Sequence, residues 1–321
     1  MTPQPAAIAP ALARLTAADA WSYGPGQGSV AEPAAWCALA LAGHGHAEAA
    51  RQPAQWLADL QQSDGSVGMS PELESPRWCT SLAMLAWRAV DFERNEQHFA
   101  PAIAAAARWA LSDRGKTNPR DPRIGHDTTL TGWSWAADTH SWLEPTCFFV
   151  MALRACGYGE HPRVREGVRL IADRLLPDGG ANYGNTIVLG QTLVPHLQPS
   201  GIALLALAAE QDSLGAVADG PQRVQATVDY LHGAVNEQTS PASLAYAALA
   251  LTACDRRPRY VEQLLGAKLA ASAGDPSKAM ATPLPMSLYE TALLALATEP
   301  AATHFASLVG PVAARPEVAA S

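Results

Sequence analysis

A short rule recurs six times along the chain. A proline is followed seven positions later by alanine, and then by leucine or methionine. It holds at Pro33 (Ala40, Leu41), Pro76 (Ala83, Met84), Pro145 (Ala152, Leu153), Pro199 (Ala206, Leu207), Pro241 (Ala248, Leu249) and Pro285 (Ala292, Leu293). Three residues after each proline stands an apolar residue: Trp36, Cys79, Phe148, Ile202, Leu244 and Leu288. Positions three and seven share one face of a helix, because side chains three and four apart stack above one another. Proline itself fits the first turn of a helix, where its missing N–H costs nothing. The rule therefore predicts six buried helices, each with a larger apolar residue near its start and an alanine one turn later. An alanine at that place lets neighbouring backbones approach closely.

Amphipathic helices are expected between them, at about 51–62, 99–112, 161–176, 221–236, 258–272 and 303–313. In "HPRVREGVRLIADRLL", Val164, Val168, Ile171 and Leu175 make one apolar stripe. Six buried helices alternating with six half-exposed ones predict an all-α fold, an (α/α)6 toroid of two concentric rings. Its inner helices run parallel, with the proline ends at one rim. No strand pattern or linker interrupts it, so 21–313 reads as one toroid domain, between an N-terminal extension (1–20) and a C-terminal tail (314–321).

Composition narrows the partners. Apolar residues make up 48% of the 321 positions and charged ones 16%, enough to bury a large core. The net charge of −8 argues against nucleic acid or an anionic membrane as partner. The five cysteines are odd in number and lie in apolar helical stretches, as reduced core residues of a cytoplasmic protein do. The start "MTPQPAAIAPALARL" lacks the basic end and apolar run of a signal peptide. No stretch has eighteen consecutive apolar residues, so no transmembrane segment is expected.

The turns carry a second signature. In "WLADLQQSDGSV" (56–67) an aromatic and a leucine are followed by Gln61, Gly65 and Val67 at fixed spacing. This resembles the QW motif of squalene and oxidosqualene cyclases, in which the last position is usually tryptophan. "LIADRLLPDGGANY" (170–183) is a weaker copy, with Leu175 in the glutamine place and Ala181 in the tryptophan place; "GQGSV" (26–30) repeats only the turn. With "IGHDTTLTGWSW", "SWLEPT" and "LPDGGANYGN", the chain over about 20–300 resembles bacterial prenyltransferase/squalene-oxidase repeat proteins with a single toroid. The resemblance implies terpene cyclase-like or prenyltransferase-like action on an isoprenoid in an apolar, aromatic-lined central cavity.

Two places pair Glu with Pro at a helix head: Glu32–Pro33 and Glu144–Pro145. A glutamate there is stabilised by the helix dipole without any chemistry. Aligned on the class II terpene cyclases, Glu144, or Glu32 in the first repeat, falls on the middle acid of the DxDD motif, the kind of acid that protonates an alkene or epoxide. DxDD itself is absent, and the Asp, Cys and His that hold zinc in protein prenyltransferases have no counterpart. No metal and no cofactor are expected. The catalytic candidates are Glu144, Asp138 and His140. The substrate-binding candidates are Trp36, Trp78, Trp133, Trp135, Trp142 and Phe148, whose rings suit cations, and Arg77, which with Arg120 and Arg123 suits a diphosphate. The stretch 113–140 lengthens one repeat to 69 residues, as functional insertions do. Two other readings remain: a non-catalytic toroid that binds a lipid or a partner subunit, and a glycan-active α/α barrel, for which tryptophans and paired carboxylates are suited.

Overall fold

The computed structural model describes residues 8–121, 123–210, 214, 217, 219–272 and 286–310. It is mostly helical, and among the described residues the one strand pair is a small hairpin, β1 (Ile187–Val188) and β2 (Gln191–Thr192). Six helices form the core: α2 (Ala31–Gly43), α4 (Cys79–Arg94), α6 (Leu143–Ala155), α8 (Leu197–Leu207), α10 (Pro241–Ala253) and α12 (Leu288–Leu296). Each touches the next, and α12 touches α2. Helices that are apolar all round belong inside a protein. Accordingly every residue of α6 is buried, and every residue of α2 but Glu32.

The partners α3 (Ala47–Asp59), α5 (Ala100–Ser112), α7 (Pro162–Asp173), α9 (Gly220–Ala234) and α11 (Arg259–Ser272) alternate with them and pack on them. In α7 the stripe Val164, Val168 and Ile171 is buried, as its spacing predicts. Several core helices end side by side. Arg154 near the end of α6 donates to the Ala206 carbonyl near the end of α8 (2.7 Å), and His44 just after α2 meets the Ala295 carbonyl of α12 (2.9 Å).

The two turns that resemble each other in sequence share one geometry. Gln61 bridges Val67, and Leu175 bridges Ala181, at the matching positions. Gly65 and Gly179 take φ of +95° and +96°, which only glycine adopts freely. A Cβ on either would collide with the backbone of a partner helix, α5 at Ala105 or α9 at Ala226. Gln61 ties its turn to α5 by donating to both the Gly65 and Ala102 carbonyls (2.9 Å each).

The prolines, by contrast, do not keep one register. Pro33, Pro145 and Pro199 are third in their helices and Pro241 is first, but Pro76 lies three residues ahead of Cys79, where α4 begins; Pro285 lies outside the described residues. What repeats instead is a hydroxyl near the head of the helix. Thr80 accepts from Val67 N (2.8 Å), Thr146 from Trp133 N (3.0 Å) and Ser200 from Ala181 N (2.8 Å). Each satisfies a buried backbone donor just before the core helix.

Both ends of the chain depart from the alternating pattern. Residues 8–16, within the expected extension, form α1 (Ile8–Thr16), which buries Ile8, Leu12 and Leu15 and packs on α12, α11 and α2. The last helix, α13 (Ala301–Val309), is half-exposed as expected, burying Ala301, Ala302, Phe305 and Val309, but it packs across several core helices instead of beside one. It touches α2, α6, α10 and α12, and Arg154 donates to its Val309 carbonyl (2.7 Å). Gly43 leaves room there, since a Cβ would press on Ala301 at 2.8 Å. Among the described residues no single helix is long and apolar enough to cross a membrane.

Candidate functional site

Glu144 occupies the first turn of α6. The preceding Trp142 is extended and caps with no side chain; Leu143 N–H goes to the Tyr183 carbonyl and Pro145 has none, so the positive end of the dipole lies beside the carboxyl. Glu144 is only 6% exposed. Gln198, in the first turn of α8, donates Nε2–H to its Oε1 at 3.3 Å, a long bond. Burial pushes the carboxyl up from 4.5 to about 7; the Gln198 bond works against this, and the negative charge of Glu32 adds to it.

Glu32 holds the equivalent place on α2 and is half-buried. Tyr23 donates its hydroxyl to Glu32 Oε2, and its ring meets Tyr289 edge-on at 5.5 Å. Burial raises the Glu32 carboxyl as well, while the Tyr23 hydroxyl and the Trp36 indole N–H act the other way. Among the described residues neither glutamate has a salt bridge to a cation. A buried carboxyl that feels a neighbour's negative charge and lacks a counter-ion, as Glu144 does, keeps its proton to higher pH.

Aromatic rings gather a turn further into the same helices. Trp36, Phe148 and Tyr246 are each the sixth residue of α2, α6 and α10. Trp36 meets Phe148 at 5.9 Å, Tyr246 at 5.7 Å and, on α13, Phe305 at 6.3 Å. Trp78 stacks on Phe148 at 6.3 Å and takes Trp135 edge-on at 4.8 Å. These edge-to-face contacts present ring edges and faces in the arrangement their quadrupoles favour. They also fill this level: the rings touch one another instead of lining an open shaft.

Of the residues singled out in the sequence, Glu144, Trp36, Phe148 and Trp78 are thus brought together, with Trp135 behind Trp78. The others go elsewhere. Asp138 sits at positive φ with its side chain 88% exposed, 3.6 Å from Lys116. His140 is exposed too, so neither is the polar neighbour of Glu144; Gln198 is. Trp133 is a packing residue, wedged between α5 and α7: its indole N–H donates to the Ala110 carbonyl (2.8 Å), and Arg163 lies 4.1 Å over its ring. Trp142 faces a separate cavity. The arginines are already engaged by carboxylates: Arg77 by Asp64 (2.6 Å), Arg120 by Asp127 (3.0 Å) and Arg123 by Asp121 (2.7 Å). Paired this way their charge is already largely compensated, although the Arg77 Nε–H is buried with no partner among the described residues.

Sequence reasoning missed Gln198, Tyr23, Tyr246 and Tyr289. Gln198 had a signal, since Gln198–Pro199 repeats the pairing of Glu32–Pro33 and Glu144–Pro145 with an amide in place of the acid. The buried thiols of Cys37, Cys79 and Cys147 are all pushed up by burial, that of Cys37 to about 12, which keeps them protonated. Among the described residues no three His, Cys, Asp or Glu side chains come together as a metal-holding group. No protein-family model and no curated protein matches the chain.

Proposed function

We propose that the six core helices are the inner ring of a single (α/α)6 toroid, and that its head end carries out acid-initiated chemistry on an isoprenoid. One observation carries the reading: Glu144 is buried, without a cationic partner among the described residues, and its carboxyl is raised to about 7. At neutral pH about half of such groups still hold their proton, enough to serve as a general acid. The succession of contacts from α2 round to α12 supports the ring, and the aromatic cluster below Glu144 supports cations as intermediates.

In this reading Glu144 gives its proton to the substrate, breaking its O–H bond as a new bond to hydrogen forms. A carboxyl of this acidity is weak, so an epoxide oxygen or an electron-rich double bond suits it better than a plain alkene. The positive charge that develops lies at the head-end side of the cluster of Trp36, Phe148 and Tyr246, whose electron-rich rings attract it from below. Loss of a proton from the neighbouring carbon to the Glu144–Glu32 pair restores the acid and leaves an isomerised or cyclised product. No oxidant, reductant or cofactor enters the balance. The engaged arginines favour this protonation route over ionisation of a diphosphate.

The test is to incubate the purified protein with isoprenoid epoxides, alkenes and diphosphates of graded length, and to analyse products by gas chromatography and mass spectrometry. New cyclic or isomerised products that vanish in Glu144→Gln support the reading; identical products from the variant refute it. A second reading, a binder without catalysis, is favoured by the mutual contact of the aromatic rings, which leaves little room at their level. Native mass spectrometry showing a retained isoprenoid or a partner subunit, with no turnover, would favour it.

A further inference from the structure

A cavity of about 920 Å³ lies away from the two glutamates, between the 113–142 segment and the β1–β2 hairpin, against the C-terminal end of α7. Neither Glu32, Glu144 nor Gln198 lines it. Its volume is that of a small-molecule site, and such sites are mostly apolar with a few placed polar groups. Here the apolar wall is Ile124, Leu130, Trp142, Ile187 and Val188. At the hairpin tip Leu189 is 97% exposed and held at φ +51°, an uncommon conformation for a leucine. An apolar side chain fixed in water at the mouth of an apolar cavity has nothing to cover in the free protein.

The polar group at the inner end is Arg174, 4% exposed. Its Nη1 is taken by Asp173 and by the Asp127 carbonyl (3.2 Å). Its Nε–H is shut off from the cavity, whereas its Nη2 makes no hydrogen bond among the described residues and is the donor left for a ligand. A guanidinium fork has five N–H donors, enough to serve a second acceptor beside Asp173. His126, also buried in this wall, is held down to about 4, by burial first and then by Arg174, so it is neutral and does not add charge. One buried cation, already half-compensated by Asp173, suits a single negative charge and not a diphosphate.

We propose that this cavity binds an amphipathic carboxylic acid, its chain along Ile124, Leu130, Trp142 and Ile187 and its carboxylate on Arg174. The site is independent of the acid chemistry at Glu144. Isothermal titration calorimetry with decanoate, below its micelle concentration and with decanol as the uncharged comparison, tests it. Decanoate binds at one site per chain and decanol at least tenfold more weakly. Arg174→Met weakens decanoate at least tenfold, and Glu144→Gln leaves it unchanged. Val188→Asp, on the half-exposed hairpin, also weakens binding at least tenfold and covers the case in which Arg174→Met fails to fold. Absence of decanoate binding, equal affinity for decanol, undiminished binding by folded Arg174→Met or by Val188→Asp, or loss of binding in Glu144→Gln would each overturn the proposal.

Discussion

Two acid-rich regions of the molecule behave in opposite ways. In the 113–142 segment three of the four aspartates have a cation: Asp121 has Arg123, Asp127 has Arg120 and Asp138 has Lys116, while Asp113, with no salt bridge among the described residues, is pushed up by burial. Asp121 is held down to about 2, chiefly by the Arg123 guanidinium. At the heads of α2 and α6, Glu32 and Glu144 face a few hydrogen bonds and apolar burial, Glu144 also feels the charge of Glu32, and both are pushed up. The same functional group is a permanent anion in one place and a proton carrier in the other. What separates them is whether a counter-ion was placed beside the carboxylate before burial took effect.

The largest expected effect tests that contrast directly. In an assay that detects turnover, Glu144→Gln loses roughly 10²–10⁴-fold, the scale of general acid catalysis, while Asp138→Asn and His140→Gln change nothing. Next is Trp36→Ala. Trp36 touches three other rings, and its removal leaves a cavity worth about 3–5 kcal/mol in denaturant unfolding.

A smaller effect comes from the proton. Glu144 titrates at 4.5 when unfolded and at about 7 when folded, so the fold favours its protonated form. The stability this gives is fully present below pH 4.5 and is lost as pH rises through about 7, a change of about 3 kcal/mol at 1.36 kcal/mol per unit. Urea unfolding from pH 4.5 to 8 should show this decline in the native chain and a flatter profile in Glu144→Gln. Smaller again, Gln198→Leu removes a bond that favours the charged form, and so moves the midpoint of that decline upward. Smallest is Arg123→Ala: Arg123 is itself exposed, and thermal melting and the pH profile should both stay unchanged.

The helical character was legible because the core helices are apolar on every side, and that follows from composition alone. The turn glycines were legible too, since the φ of Gly65 and Gly179 leaves few other residues possible. The register of α4 was not: Pro76 suits the approach to a helix as well as its first turn, and only the Thr80 hydroxyl fixes the alignment. The place of α13 was not legible, because an apolar stripe does not say which surface it covers. Glu144 stood out by its Glu–Pro pairing. Its partner Gln198 and the tyrosines near Glu32 did not, because their approach depends on how distant helices meet. The tryptophans misled in part: Trp133 and Trp142 carry the same ring as Trp36 and Trp78, and only burial and direction separate packing from site.

The central claim is that Glu144 holds its proton near neutral pH. Carbon-13 NMR of glutamate labelled at the side-chain carboxyl, with the Glu144 signal assigned by its absence from Glu144→Gln, measures this directly. The account predicts a titration midpoint near 7 for that signal. A midpoint in the ordinary glutamate range near 4.5 would contradict it.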